Sequence, residues 1–316
     1  MSAALTLGER GVGRTGNNPS VGCIIVKEGK IVGRGWTQSG GRPHAEAMAL
    51  QVAGDAAIGA IVYITLEPCA HPSPRGPACA DMLIAAKPAH VVVALKDPDP
   101  RTAGAGFARL RGAGIEVTTD IMASTARMAL SGFLARIERQ RPFVTLKLAT
   151  SLDGAIAMAD GSSRWITGDA ARAHAHIERT RSDAILVGAG TVRADSPLLD
   201  VRLPGLEHRS PRRIMLGSGP APNGWETIAS PEEVRSLDCN NLLVEGGAVT
   251  ASSFMKAGLV DRLLLYRAPI LIGGCKSCLG DIGLERLDDA YGQWRLQDTR
   301  RLGNDRLEVY ENREIG

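Results

Sequence analysis

The sequence predicts two α/β domains joined near residue 140, and three observations lead to this prediction. First, 316 residues are more than one hydrophobic core usually serves. Second, apolar runs of strand length alternate with segments of helix length in both halves, as in three-layer α/β domains. Third, a polar cluster at residues 138–142 separates the halves. We therefore expect domains at residues 1–140 and 141–316.

The first domain is predicted to open with a helix over residues 2–11 and a β-hairpin. The hairpin strands, at 21–26 and 31–33, flank the turn-forming pair Glu28-Gly29. Strands and helices then alternate: a helix from Pro43 to Val52, a strand at 61–66, a helix at 79–86, a strand at 90–95, a helix at 106–112, a strand at 115–118 and a helix at 124–137.

The second domain continues the alternation and ends in a β-rich tail. Its strands are predicted at 143–149, 184–187, 213–216, 242–244, 262–266, 294–296 and 307–310. The strand at 242–244 runs through Gly246-Gly247 into a helix that extends to about residue 257. Glycines at this place let the backbone approach a phosphate, and a helix N-terminus offers N–H groups to it. A plain tight turn is the alternative, because the full glycine spacing of a dinucleotide fingerprint is absent.

The composition favours a small-molecule partner. The formal net charge is only +3, and no run of Lys or Arg is dense enough to bind a polyanion, so we expect no nucleic acid. No window approaches 18 apolar residues and the N-terminus has no signal-peptide pattern, so we expect no membrane and a cytoplasmic protein. The six scattered cysteines are expected to be thiols, with metal ligands as the exception.

One histidine, one carboxylate and two thiols have the types and spacing of a zinc site that activates water. His44, Cys69 and Cys79 supply three ligands, which leaves one position open for water, and Glu46 is the proton carrier that such deaminases need. Glu46 is two residues past His44, so both can face one pocket only at the first turn of a helix. A chance occurrence of His-Ala-Glu is the alternative, but Cys69 directly after an apolar strand and Cys79 opening a helix argue against it.

Several motifs resemble those of the bifunctional deaminase/reductases of riboflavin biosynthesis. In the first half these are NPSVG at 18–22, PHAE at 43–46 and TLEPC at 65–69. In the second half they are KLATSLDG at 147–154, SRWIT at 163–167, GTVRADSPLL at 190–199 and VEGG at 244–247. The resemblance covers nearly the whole chain. It implies a cytidine-deaminase-like α/β/α domain followed by a dihydrofolate-reductase-like α/β domain.

For the first domain, the resemblance implies one Zn²⁺ per chain and hydrolytic deamination of a diaminopyrimidinone that carries a phosphoribosylamino arm. Nine residues separate Cys69 from Cys79, against two in cytidine and tRNA-adenosine deaminases and usually eight in the riboflavin family. Asn18 is expected to hydrogen-bond the base. His71 and Arg75, in the loop between the cysteines, are candidate substrate contacts, with solvated loop residues as the alternative.

For the second domain, the resemblance implies NADPH and reduction of the ribosyl group to a ribityl chain. The implied NADPH contacts are Ala149, Trp165, Thr191, Asp195, Ser218, Gly247, Ala248, Val249 and Thr250. The implied substrate contacts are Ser163, Arg179, Leu199, Arg202 and Glu245. Guanidinium groups suit the substrate phosphate because they offer a planar fork of donors. Lys147 is a candidate for ordering substrate or cofactor. The alternative is a strand lysine without a role in the site, whose ammonium group reaches solvent.

The resemblance also implies self-association into a homodimer or larger assembly. Two other readings stay open: an enzyme with one working half, and a deaminase that acts on nucleic acid, for which a basic groove is missing. We expect His174 and His176 to be solvated, and Cys275 and Cys278 to be ordinary thiols.

Overall fold

A computed structural model describes residues 1–71, 73, 75–274 and 276–313. The chain divides into two compact units, Met1–Gln140 and Arg141–Gly316. Among the residues described, no helix is both long and apolar enough to cross a membrane.

The first unit is built on a five-stranded sheet with the order β2-β1-β3-β4-β5. The strands are β1 (Gly22–Lys27), β2 (Lys30–Trp36), β3 (Ile61–Ile64), β4 (His90–Val93) and β5 (Glu116–Thr118). β1 pairs antiparallel with β2 and β3, whereas β3, β4 and β5 are parallel. The hairpin closes at Glu28 and Gly29, which both have positive φ, as a two-residue turn between twisted strands requires.

In the described part of this unit, six α-helices accompany the sheet. They are α1 (Ser2–Gly8), α2 (Ala45–Ala53), α3 (Cys79–Ala86), α4 (Ala105–Gly112), α5 (Ala123–Ala129) and α6 (Ser131–Arg139). Cys23, Ile24 and Ile25 are consecutive in β1 and all buried, so both faces of the sheet are covered, as in a three-layer domain.

Two helix predictions need correction. The helix expected at 124–137 is two helices, because Leu130 leaves helical geometry with φ −102° and ψ 11° just before Ser131-Gly132, two residues of low helix propensity. The helix expected from Pro43 begins at Ala45, and His44 is its extended N-cap residue. This second difference matters for the site below.

The second unit contains an eight-stranded sheet with the order β10-β9-β8-β11-β6-β12-β15-β14. Its strands are β6 (Phe143–Thr150), β8 (Ala184–Gly188), β9 (Arg212–Leu216), β10 (Glu226–Ile228), β11 (Asn241–Glu245), β12 (Arg262–Arg267), β14 (Trp294–Leu302) and β15 (Asp305–Asn312). Two short strands, β7 (Ala155–Ala157) and β13 (Lys276–Ser277), pair antiparallel as a separate two-stranded sheet. The strands from β10 to β12 are parallel, and β15 and β14 complete the sheet antiparallel.

Helices α7 (Asp169–Thr180), α8 (Ala189–Asp195) and α9 (Ala248–Lys256) belong to this unit. Strand β8 is buried along its whole length. In the middle of β6, burial alternates, so Leu146 and Leu148 pack in the core while Lys147 and Ala149 face the other side. Because β6, β8 and β11 are parallel neighbours, their carboxyl ends meet at one edge, where α/β sheets bind ligands.

Candidate active sites

Three potential metal ligands converge in the first unit. His44 precedes α2, Cys69 follows β3 by a few residues, and Cys79 is the first residue of α3. His44 Nδ1 lies 3.3 Å from Cys79 Sγ and 3.7 Å from Cys69 Sγ. All three ligand atoms lie within 4.8 Å of one another, and both thiols are buried.

These donors fit zinc. With Zn–N near 2.0 Å and Zn–S near 2.3 Å, a nitrogen and a sulfur ligand of a tetrahedral site are about 3.5 Å apart, close to the two distances found. The side-chain hydrogen bond with Cys79 is the largest cause that lowers the pKa of Cys69, and the Cys79 N–H also donates to its sulfur at 3.3 Å. A zinc ion bound here would displace the protons of both thiols, because the metal is held by thiolates.

Glu46 lies in the first turn of α2 and is only 3% exposed. Burial raises the pKa of its carboxyl group, although His44 and a hydrogen bond with Cys79 oppose the rise. The extended backbone of His44 (φ −73°, ψ 165°) lets residues 44 and 46 line the same pocket, which mid-helix geometry would prevent.

The pocket above these residues has a volume of about 350 Å³. Asn18, His71 and Arg75, the three predicted substrate contacts, all line it. The Asn18 amide donates to the Thr15 carbonyl, His71 Nδ1 lies 3.3 Å from Thr102 Oγ1, and Arg75 donates to the Gly40 carbonyl. The structure therefore brings these side chains to the metal ligands.

Sequence reasoning missed a second wall of this pocket, formed by the loop that follows β4. Asp97, Asp99 and Arg101 of this loop line the pocket. Burial raises the pKa of Asp97 to about 7. The signal available in the sequence was the position of Asp97-Pro98-Asp99-Pro100 just after a parallel strand, where ligands bind.

Glu67 holds this wall in place. Its buried carboxylate accepts N–H groups from Gly104 at 2.9 Å, Gly106 at 3.0 Å, Phe107 at 3.2 Å and Asp97 at 3.3 Å. One side chain, two residues before Cys69, thus anchors both the loop after β4 and the start of α4.

In the second unit, a cleft of about 820 Å³ opens at the carboxyl edge of the sheet. Eleven of the predicted residues line it: Lys147, Ala149, Ser163, Trp165, Arg179, Thr191, Asp195, Leu199, Arg202, Glu245 and Gly247. Four do not. Ser218 is an exposed residue beyond the end of β9, and Ala248, Val249 and Thr250 form the first turn of α9.

The floor of the cleft carries an ion pair and a lysine. Arg179 Nε and Nη2 donate to the two carboxylate oxygens of Glu245 at 2.8 and 2.9 Å. Burial opposes ionisation of Glu245, but the Arg179 hydrogen bonds and charge hold its pKa below the usual range. Lys147 is the register partner of Glu245 across β6 and β11, and its Nζ lies 5.8 Å from the Tyr266 ring centroid. Burial lowers the pKa of Lys147, and Glu245 opposes this.

The rim of the cleft fits a dinucleotide phosphate. Gly247 is the N-cap of α9, and a Cβ atom there would meet nothing within 4 Å, so its backbone is open to a ligand. A Cβ atom on Gly188, in contrast, would lie 2.3 Å from Thr250 Oγ1, so a side chain there would collide with the first turn of α9. Trp165 is 65% exposed, with the Arg172 guanidinium 4.8 Å from its ring centroid.

The prediction of a solvated side chain is wrong for His174, whereas His176 is partly exposed at the cleft. His174 is partly buried and its Nδ1 lies 2.8 Å from the Tyr266 hydroxyl, while His176 lines the cleft. The two residues lie on different sides of α7, and the packing of each side against the sheet decides their burial. Cys275 lies outside the described residues, and Cys278 is a free thiol.

A His/Cys/Cys cluster beside a buried glutamate, on a three-layer α/β unit, defines a zinc-dependent hydrolytic deaminase; the second unit adds a nucleotide-type cleft. Comparison with known families agrees. Residues 1–95 match the cytidine and deoxycytidylate deaminase zinc-binding region. Residues 142–223 and 227–307 match the RibD C-terminal domain.

Relatives match over nearly the whole length. The riboflavin biosynthesis protein RibD of Escherichia coli is 39% identical, covering 96% of each chain. That of Mycobacterium tuberculosis is 40% identical, covering 93% of this chain and 91% of the relative. The solved structure of Acinetobacter baumannii RibD is 36% identical, has a TM-score of 0.90 and covers 99% and 97% of the two chains. The chain belongs to the RibD family. It is a bifunctional deaminase and reductase of riboflavin biosynthesis that uses zinc and NADPH.

These findings also confirm the predicted fold class: a cytidine-deaminase-like domain followed by a reductase domain of mixed α/β structure. A Thermotoga maritima protein of known structure, 30% identical with a TM-score of 0.89, is described as a diaminohydroxyphosphoribosylaminopyrimidine deaminase/5-amino-6-(5-phosphoribosylamino)uracil reductase.

Proposed function

We propose that residues 1–140 carry out the deamination and residues 141–316 the reduction. In this proposal His44, Cys69 and Cys79 hold the zinc ion and Glu46 transfers protons. The observation that carries it is the mutual approach of the three ligand atoms within 4.8 Å, beside a buried carboxyl group. The substrate proposed is the phosphoribosylated diaminopyrimidinone after which the deaminase activity of the T. maritima protein is named.

In the deamination, zinc supplies a Lewis acid that makes water nucleophilic near neutral pH. Glu46 removes a proton from the attacking water and delivers it to the departing amino group, while the second proton of the water ends on the ring nitrogen, so that ammonia leaves and a carbonyl forms on the ring. Asn18 holds the base, and His71 and Arg75 contact the rest of the substrate from the loop between the cysteines.

In the reduction, bound NADPH would supply a hydride to the sugar carbon that is attached to nitrogen; the bond from this carbon to the ring oxygen would break and the oxygen would take up a proton, which gives the ribityl chain. The proposed NADPH contacts in the cleft are Ala149, Trp165, Thr191, Asp195 and Gly247. The further contacts proposed, Ser218 and residues 248–250, do not line the cleft. Ser163, Arg179, Leu199, Arg202 and Glu245 hold the substrate. The ion pair fixes the Arg179 guanidinium in one orientation, and Lys147 lies beside it to order the reacting groups.

We also propose that the chain acts in the cytoplasm as a homo-oligomer. Free thiols at Cys23, Cys69, Cys79, Cys239 and Cys278 support a reducing compartment. Light scattering of the purified protein tests the assembly: a mass of one chain at micromolar concentration would contradict it.

Replacement of a ligand tests the assignment of the two reactions. Cys79→Ser is expected to lose zinc and ammonia release, while NADPH oxidation on the already deaminated substrate continues, because the two clefts belong to different units. Cys23→Ala is the matched control: this thiol is also buried in the first unit but lies outside the ligand group. Retained zinc and ammonia release in Cys79→Ser would contradict the proposal.

A further inference from the structure

The pocket of the first unit combines buried acidic side chains with more exposed arginines. Glu46 and Cys69, both buried, form the floor. Three arginines, Arg42, Arg75 and Arg101, also line the pocket. This distribution suits a ligand with a neutral ring at one end and an anionic group at the other.

Arg101 is the most firmly oriented of these arginines. Its Nε donates to both carboxylate oxygens of Asp99 at 3.0 Å, and its Nη2 donates to Asp99 Oδ2. The Asp99 side chain is 11% exposed, whereas that of Arg101 is 68% exposed. The carboxylate is therefore built into the pocket wall and the guanidinium projects from it.

Neighbouring hydrogen bonds fix the backbone beneath this pair. Asp97 Oδ1 accepts the Asp99 N–H at 2.9 Å, and Asp99 Oδ1 accepts the Arg101 N–H at 3.0 Å. Glu67 anchors both ends of the loop, through the N–H groups of Asp97 and Gly104. Arg101 is thus held on a loop that is attached to the strand leading to Cys69.

The guanidinium retains donors for a ligand. A guanidinium has about five N–H groups, and the contacts with Asp99 use the Nε–H and one Nη2–H. The Nη1 pair and the second Nη2–H remain, arranged as the planar fork that binds phosphate. Arg75, in contrast, is exposed on the loop between the cysteines and donates one Nη1–H to the Gly40 carbonyl.

We infer that Arg101, oriented by Asp99, binds the phosphate of the deaminase substrate together with Arg75. This rests on the proposed deamination of a phosphoribosylated pyrimidine. The Asp99 carboxylate is a positioning group: it holds the guanidinium at the mouth while the ring reaches the metal ligands. Phosphate binding through Arg101 sets the affinity for substrate and leaves the chemical step at Glu46 unchanged.

The test compares two substrates in one ammonia-release assay: the phosphorylated diaminopyrimidinone and the same compound after phosphatase treatment. Arg101→Ala is expected to raise KM for the phosphorylated substrate about tenfold or more, with kcat nearly unchanged, since a hydrogen-bonded charge is lost. The dephosphorylated substrate should show no change. Asp99→Asn should give a smaller rise with the same selectivity, because Arg101 stays charged but is less well held.

Arg109→Ala is the matched control. This arginine of α4 forms an exposed pair with Asp81 in the same unit, and its removal should leave both KM values unchanged. If Arg101→Ala changes both substrates equally, or neither, the inference is wrong. If the wild-type protein releases no ammonia from either substrate, the proposed function itself fails, which is a distinguishable result.

Discussion

Arg179 and Glu245 form a bidentate ion pair at the floor of the reductase cleft, with each side chain only 12% exposed. One residue comes from helix α7 and the other from the carboxyl end of β11. A paired guanidinium cannot turn away from the cleft, so the pair presents its remaining N–H groups in a fixed direction. We expect the fixed orientation of the Arg179 guanidinium to contribute as much to substrate binding as its charge does.

Arg179→Lys is expected to raise KM for the deaminated substrate about tenfold or more, because an ammonium cannot reproduce the two parallel hydrogen bonds. Steady-state kinetics measures this effect.

Glu245→Ala is expected to lower the free energy of unfolding by roughly 3 kcal/mol, because it leaves the Arg179 charge unpaired. This value is at the low end for a broken buried ion pair, since the cleft admits water. Urea unfolding measures the effect.

Arg212→Lys serves as the control for Arg179→Lys, because Arg212 forms an ion pair with Glu226 in which both side chains are 44% exposed. It should leave KM and stability nearly unchanged. If Arg179→Lys and Arg212→Lys change KM by the same factor, the hydrogen-bond geometry at Arg179 does not contribute to substrate binding.

Gly188→Ala is expected to weaken NADPH binding about tenfold, by pushing the first turn of α9 away from the cleft. The added Cβ would lie 2.3 Å from Thr250 Oγ1, and a β-branched side chain cannot easily rotate away. Fluorescence titration with NADPH measures the change. Gly190→Ala, where the Cβ meets nothing within 4 Å, should bind normally.

Adding Thr250→Ala to Gly188→Ala removes the colliding hydroxyl and should restore part of the affinity. If the double variant binds no better than Gly188→Ala, the collision with Thr250 is not the cause.

Stability of the second unit should fall as the pH is lowered through the ordinary pKa of histidine. Burial lowers the pKa of His174, with Arg300 and Arg181 adding to the effect and Glu178 and Asp298 opposing it. The unfolded chain therefore binds the proton more tightly than the folded one, and stability present above about pH 6.5 is lost below it. The hydrogen bond between His174 and Tyr266 is the contact at risk.

His174→Gln should flatten this dependence, measured as the difference in the free energy of unfolding between about pH 7.5 and about pH 5.5. His208→Gln, at an exposed histidine, should behave as the wild type. An unchanged pH dependence in His174→Gln would assign the effect to other groups.

The sequence predicted what depends on local pattern. The strands, most helices and the ligand group follow from apolar periodicity and from residue types at element ends. Leu130 was missed because a helical pattern continues across it, and only the backbone shows the break. The contacts of Glu67 and the pair of Asp99 with Arg101 were missed for different reasons. Glu67 binds N–H groups 30 to 40 residues away, and a carboxylate beside an arginine in a loop has no distinctive spacing.

The central claim is that Glu46 acts in a deamination that feeds an independent reductase site. The most direct test measures NADPH oxidation by zinc-loaded Glu46→Gln protein. The variant should oxidise no NADPH when it is given the diaminopyrimidinone. With the deaminated substrate, it should oxidise NADPH at the wild-type rate. Oxidation at the wild-type rate with both substrates would contradict the claim.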